Sequence, residues 1–192
     1  MKIPSRRIPV QDPTATRALD GQDAALRAVA SQVLRAGRLV GYSAATDSAV
    51  DTIVSTSGGT IPFDNTKPQK TEGKEVLALT YIPQAAGNWI IVEAEVLLAP
   101  STGGHLVAAL FVDEETLARV AMARYMLTAG GAAPVAVRMA WKAADTERHT
   151  FRLRAGMDAG GAAFTVTVNG QAGARMLGGA AGSFIQAQEV AV

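Results

Sequence analysis

The chain has 192 residues, no cysteine, and 18 Lys and Arg against 17 Asp and Glu, for a formal charge of +1. A near-zero charge leaves no long-range field to steer nucleic acid or an anionic membrane to the surface. The missing thiols exclude disulfides, thiolate zinc sites and cysteine nucleophiles together.

Aromatic residues are 5% of the chain and glycine fills 19 positions, so the core has to be built from Val, Leu, Ile and Ala. At about 25 cal/mol per Å² buried, such side chains gain from burying further surface between subunits. The basic start, Met1 to Arg7, is followed by no apolar run of signal-peptide length. No segment approaches the roughly 20 apolar residues of a membrane span. The expectation is a protein made in the cytoplasm, with no secretion signal and neither membrane nor nucleic acid as partner.

Residues 1–18 hold Pro4, Pro9 and Pro13 in a polar, basic context, which forbids a regular helix or central strand and predicts an extended arm, either a disordered tail or a peptide that orders in a partner. Over residues 19–41 the apolar spacing becomes Leu19, Gln22, Leu26, Val29, Val33, Ala36 and Val40, a 3,4 alternation of helical period. Asp20 and Asp23 near its start and Arg35 and Arg38 near its end match the helix macrodipole, and Gly37 or Gly41 ends it. Such a helix can pack on its own domain or join identical chains as a coiled-coil stem. The narrow Leu and Val seam between polar Arg27, Ser31, Gln32 and Arg35 favours the second, with Leu19, Leu26, Val29, Val33, Ala36 and Val40 as oligomerisation residues.

Residues 42–60 are small and polar and read as a linker, with one short strand near Thr52 to Ser55 and a turn at Gly58-Gly59. Residues 61–192 alternate at period two. Strands are expected at Val76 to Tyr81, Trp89 to Leu98, Leu106 to Val112, Arg119 to Leu127, Val135 to Trp141, around Phe151 and Leu153, at Phe164 to Val168, and at Phe184 to Val190. Leu106 to Val112 is nearly all apolar, as a strand covered on both faces would be. Glu114 to Ala123 is open to helix or strand. About eight strands separated by turns such as Asn169-Gly170 predict an antiparallel two-sheet sandwich of jelly-roll type. The fold class is thus mainly β: an extended arm, a short helical stem and a β-sandwich head.

Ile61-Pro62-Phe63-Asp64-Asn65-Thr66-Lys67-Pro68-Gln69, running into Thr71 to Leu77, resembles the opening of jelly-roll heads in bacteriophage fibre, spike and decoration proteins. Trp89 to Val96, Ala108 to Phe111, Thr150 to Gly156 and Asn169 to Val190 resemble later phrases of the same heads. The resemblance implies a virion structural protein, a homotrimer with a tumour-necrosis-factor-like head. It also implies that the N-terminal arm, through Ile3, Pro4, Ile8, Pro9 and Val10, anchors the head to another virion protein.

Chemistry is sparse. His105 and His149 stand apart, with no second histidine or carboxylate at metal-ligand spacing. Glu93 and Glu95 share one strand face and read as a solvated face rather than a glycosidase pair. Asp113-Glu114-Glu115 reads as a solvent-exposed loop, although a hard cation is an alternative. The Gly-rich segments lack the Lys-Ser/Thr ending of a phosphate loop. The sequence therefore predicts no enzyme, no metal and no cofactor. Arg138, Arg152 and Arg154 on outward faces, with Trp141, are the candidate surface for a host-surface glycan; the alternative for the arginines is ion pairing with Glu93 and Glu95. A carbohydrate-binding module is the second functional class.

Overall fold

The computed structural model describes residues 37–192, and Leu39–Val192 forms one compact unit. The chain enters with β1 (Leu39–Asp47) and β2 (Asp51–Val54), then crosses a long irregular segment to β3 (Lys74–Tyr81), β4 (Trp89–Pro100) and β5 (Gly104–Val112). It continues through β6 (Val120–Met126), β7 (Ala133–Lys142) and β8 (His149–Asp158). The short β9 (Thr165–Val168), β10 (Gly170–Gln171) and β11 (Ala174–Arg175) follow, and β12 (Ser183–Val190) closes the unit. No α-helix occurs among the described residues, and none there is long and apolar enough to cross a membrane.

The strands form two antiparallel sheets. In the first, β4 lies between β12 and β7, β1 pairs with the far side of β12, and the end of β4 also pairs with β9, which carries β2. The second runs β3-β8-β5-β6. The long pairs are nested: the β5–β6 hairpin lies inside β4–β7, that pair inside β3–β8, and β1–β12 encloses them all.

Alternation explains the core. On β4 the residues Ile90, Val92, Ala94, Val96 and Leu98 are at most 2% exposed, because a pleated strand points every second side chain the same way. They meet Leu106, Leu110, Phe151 and Leu153 of the second sheet in one apolar cluster. The expected double cover of β5 is present. Its outer face carries Ala109 and Phe111 under Ala118, where residues 68–70 are tied to 116–118 by Lys70 N–H to Thr116 O (2.9 Å) and Ala118 N–H to Pro68 O (2.8 Å).

Several expectations are corrected. Val40, read as the last seam residue of a helix, lies in β1, which runs to Asp47 through residues read as linker, while the short strand expected near Thr52 to Ser55 is β2. The physical reason is at Gly41, read as a helix terminator: a Cβ there would lie 2.0 Å from Tyr81 Oη. The small residues of this stretch let β1 close over its neighbours. Glu114 to Ala123 contains a loop and the start of β6, not a helix. The remaining seam positions, Leu19, Leu26, Val29, Val33 and Ala36, and the arm residues Ile3, Pro4, Ile8, Pro9 and Val10, lie outside the described residues.

One buried charge holds the β1 end of the first sheet. Glu189 on β12 is 0% exposed. It accepts hydrogen bonds from Tyr81 Oη (2.8 Å), Gln84 N (2.9 Å), Ala85 N (3.3 Å) and Asn88 Nδ2 (2.6 Å). Burial opposes its ionisation, but the donors, led by Asn88 and the Gln84 amide, outweigh it and hold its carboxyl below the ordinary carboxylate value. The sign follows: its contribution is present above the unfolded pKa and is lost as pH falls through the lowered folded value. Glu189→Gln presents an amide N–H to donors that need an acceptor. Urea denaturation at neutral pH should show a loss of about 3 kcal/mol, with a smaller difference from wild type in acid.

Candidate functional site

A polar arrangement open to solvent lies at the mouth of the sandwich where β5 and β7 end and β8 begins. Val112 is the last inward residue of β5, and the next residue, Asp113, has φ +52°, a left-handed conformation that Asp tolerates better than most residues. This turn brings the Asp113 carboxylate back to β8, where Oδ1 accepts the Thr150 N–H at 2.7 Å and Oδ2 lies 2.8 Å from His149 Nδ1. The other ring nitrogen, Nε2, lies 3.0 Å from Asp145 Oδ1, and Asp145 also accepts the Glu147 N–H at 2.9 Å. His149 thus joins the β5–β6 loop to the β7–β8 loop.

Trp141 reaches this clamp from the opposite sheet. It occupies an inward position near the end of β7, following Val135, Val137 and Met139, and is half-buried. Its ring meets His149 edge-on at 4.6 Å between centroids and Phe151 at 5.6 Å. Beside it a cleft of about 530 Å³ is walled by Met139, Trp141 and Lys142 on one side and by Asp113, Glu115 and Arg119 on the other. That volume is in the range of small-molecule sites. Arg119 Nε lies 2.6 Å from Glu115 Oε2, and the Lys142 ammonium lies 6.0 Å from the Trp89 ring centroid.

The sequence-predicted ligand residues do not form one surface. Trp141 lines the cleft, but Arg138 is on the outer face of the first sheet, paired with Glu93 at 2.9 Å across β4 and β7. Gln186 Nε2 donates to the same carboxylate at 2.7 Å. Arg152 is on the second sheet, bonded to Glu75 (3.2 Å) and Glu114 (3.1 Å). Arg154 donates to the backbone carbonyls of Glu72 (2.8 Å) and Gly73 (2.6 Å), which fixes the loop before β3. Ion pairing thus accounts for Arg138 through Glu93, whereas Arg152 finds other carboxylates.

The acidic run at Asp113 lies in a loop that is largely exposed, as expected, but its carboxylates are engaged: Asp113 holds His149, Glu114 meets Lys70 at 2.9 Å, and Glu115 binds Arg119. Asp145 and His149 lie four residues apart, so that half of the clamp was open to sequence spacing, whereas Asp113 comes from a separate loop and was not. The other histidine, His105, stacks on Phe63 (3.9 Å) and meets the tilted ring of Tyr125 (4.9 Å). Among the described residues no group of three or more His, Asp or Glu side chains is placed to hold a metal ion.

No family model matches the chain, and no curated protein matches it. Solved structures give distant likenesses. The infectious bursal disease virus Gx strain structure is 12% identical over 80% of this chain and 37% of that one, with a TM-score of 0.36. The infectious bursal disease virus VP2 subviral particle is 14% identical over 79% of this chain and 38% of that one, TM-score 0.37. The EclA C-terminal domain, a sugar-binding protein, is 15% identical over 62% and 76%, TM-score 0.30. The chain spans less than two fifths of either viral chain. Likenesses this distant decide neither the fold family nor the function.

Burial under Trp141 and Phe151 opposes protonation of His149, and the hydrogen bonds and charges of Asp113 and Asp145 outweigh it, so the imidazole titrates above the ordinary histidine value. A raised folded pKa means that the clamp contributes fully below the unfolded value and is lost as pH rises through the folded one. Thermal melts from pH 5.5 to 9 should show a decline of wild type toward alkaline pH that is flattened in His149→Gln. Parallel slopes for the two proteins would show that the clamp is not coupled to stability.

Proposed function

We propose that this protein is a structural virion protein of a bacteriophage, a homotrimeric fibre, spike or decoration protein. In this reading the arm of residues 1–18 binds another virion protein, and the β head is held outward for adhesion or reinforcement. The supporting observation is the nested strand pairing. Taken in chain order, the eight long strands fall in the first, second, first, second, second, first, second and first sheets, the connectivity of a long hairpin rolled into a jelly roll. That is the architecture implied by the phrases from Ile61 onward. Fold alone does not assign function; the heptad spacing of the sequence before the head completes the reading.

The surface of the head is consistent with association. Tyr42 is 59% exposed and Trp89 41% exposed, and both belong to the outward-facing rows of the first sheet. Half-buried Ile91, Leu97 and Phe184 lie on the same face. Exposed apolar area of this kind marks interaction surfaces. A second reading, glycan binding, is favoured by the cleft beside Trp141.

Full-length protein should scatter light as a species of three times the chain mass at micromolar concentration. Leu26→Asp with Val33→Asp should convert it to monomer without altering the far-ultraviolet β spectrum. A wild-type monomer would overturn the trimeric reading. Deletion of residues 1–18 should leave the trimer intact and abolish its incorporation into particles.

A further inference from the structure

We propose that the cleft between Trp141 and the Asp113–Arg119 loop is a binding site for a neutral pyranose unit of a polysaccharide. The inference adds a ligand class to the displayed head, and rests on the virion reading only for the source of the sugar.

The walls select the chemistry. Trp141 and Met139 supply an aromatic and aliphatic face, which suits the C–H face of a sugar ring and gives large contact area at small entropic cost. On the facing wall Arg119 and Glu115 are paired with each other and Asp113 is bonded to His149 and Thr150, and Lys142, its ammonium 6.0 Å from the Trp89 ring, borders the other side, so the lining carries two cationic and two anionic residues. The two signs balance, so the site demands a ligand that is uncharged yet offers donors and acceptors together around its edge. A wholly apolar ligand would strip water from the lone pairs and N–H groups that these ion pairs leave unused, without replacing their hydrogen bonds. An acidic ligand would set its charge against Asp113 and Glu115. A pyranose ring, with apolar faces and a rim of hydroxyls, meets both demands.

The site is also built before any ligand arrives. Asp113 sits in a left-handed conformation, a strain that costs free energy unless its surroundings enforce it. The enforcement comes from the Thr150 amide and His149, and through His149 from Asp145 on the facing loop. Both loops are therefore held with Trp141 against the clamp, and ordering costs that weaken sugar binding are met on folding.

The test uses full-length protein and saturation-transfer NMR against oligomers of glucose, galactose, mannose and N-acetylglucosamine, with sialyllactose as the acidic probe. At least one neutral oligomer should bind. Its affinity should fall at least tenfold in Trp141→Ala. It should fall likewise in Ala144→Arg, which fills the cleft mouth from an exposed position, and in Lys142→Ala. The last two substitutions are at exposed side chains and should leave the melting temperature unchanged, so loss of binding there is not loss of folding. Absence of binding by every neutral oligomer, unchanged affinity in Ala144→Arg, or tighter binding of sialyllactose would overturn the proposal. Light scattering on the same samples separates the two readings: a trimer without sugar binding sinks only the sugar site, and a sugar-binding monomer sinks only the trimer.

Discussion

The alternation of β4 is the constraint on which the head depends. This strand pairs with β12 and β9 on one side and β7 on the other, while five of its residues fill the interior with almost no exposure. A slip of one residue in its register would send Ile90, Val92, Ala94, Val96 and Leu98 outward and bury Glu93 and Glu95. The outer network of Glu93, Arg138 and Gln186 follows from the same register, since those residues stand opposite one another only when the inner row faces the core. Core and surface are thus two readings of one pattern.

The mouth of the sandwich is where that pattern runs out. Trp141 continues the inward row of β7 past the point where apolar neighbours surround it, and His149 begins the inward row of β8. Two inward positions at a frayed rim meet a loop that has turned back on Asp113, and a polar clamp replaces hydrophobic closure. Burial is incomplete there, so the rings remain available to a ligand while their positions are fixed by hydrogen bonds. At the opposite end of β8, Gly156 lets the backbone of residues 59–61 approach closely: a Cβ would lie 2.4 Å from Gly59 O. That end is shut by backbone contact, with Met157 N–H donating to Gly59 O at 3.2 Å.

The strands were legible wherever one face was consistently apolar, as in β4, β7 and β8, because burial on one side of a pleat leaves a period-two record. Asn169-Gly170 reads as a turn in the sequence, whereas Asn169 is a bend with φ +54°, Gly170 begins β10 and the hairpin turn falls at Ala172-Gly173. The bend was not legible because its support is remote: Asn169 Nδ2 donates to the carbonyls of Asp47 and Ala49 across a large sequence gap. β1 escaped notice because its inward positions are Gly41, Ser43 and Ala45, residues chosen for close approach to Tyr81 and β12 and indistinguishable in composition from a linker. Glu189 was hidden for the converse reason: a carboxylate at the end of an alternating strand resembles a solvated terminus, and its donors come from a loop about a hundred positions earlier. The same holds for the Asp113 and His149 contact. Tertiary partners leave no local period.

Nested pairing also sets an order in time. The β5–β6 hairpin is contiguous in the chain, whereas each enclosing pair joins segments farther apart, so loop-closure entropy rises from the inside outward. The outermost pair joins the first strand of the head to its last, and β12 also separates β1 from β4. During synthesis β1 is made well before its partner, and the first sheet lacks an inner strand until β12 emerges. The inner turns of the roll can form first; the first sheet can close only once β12 has been made.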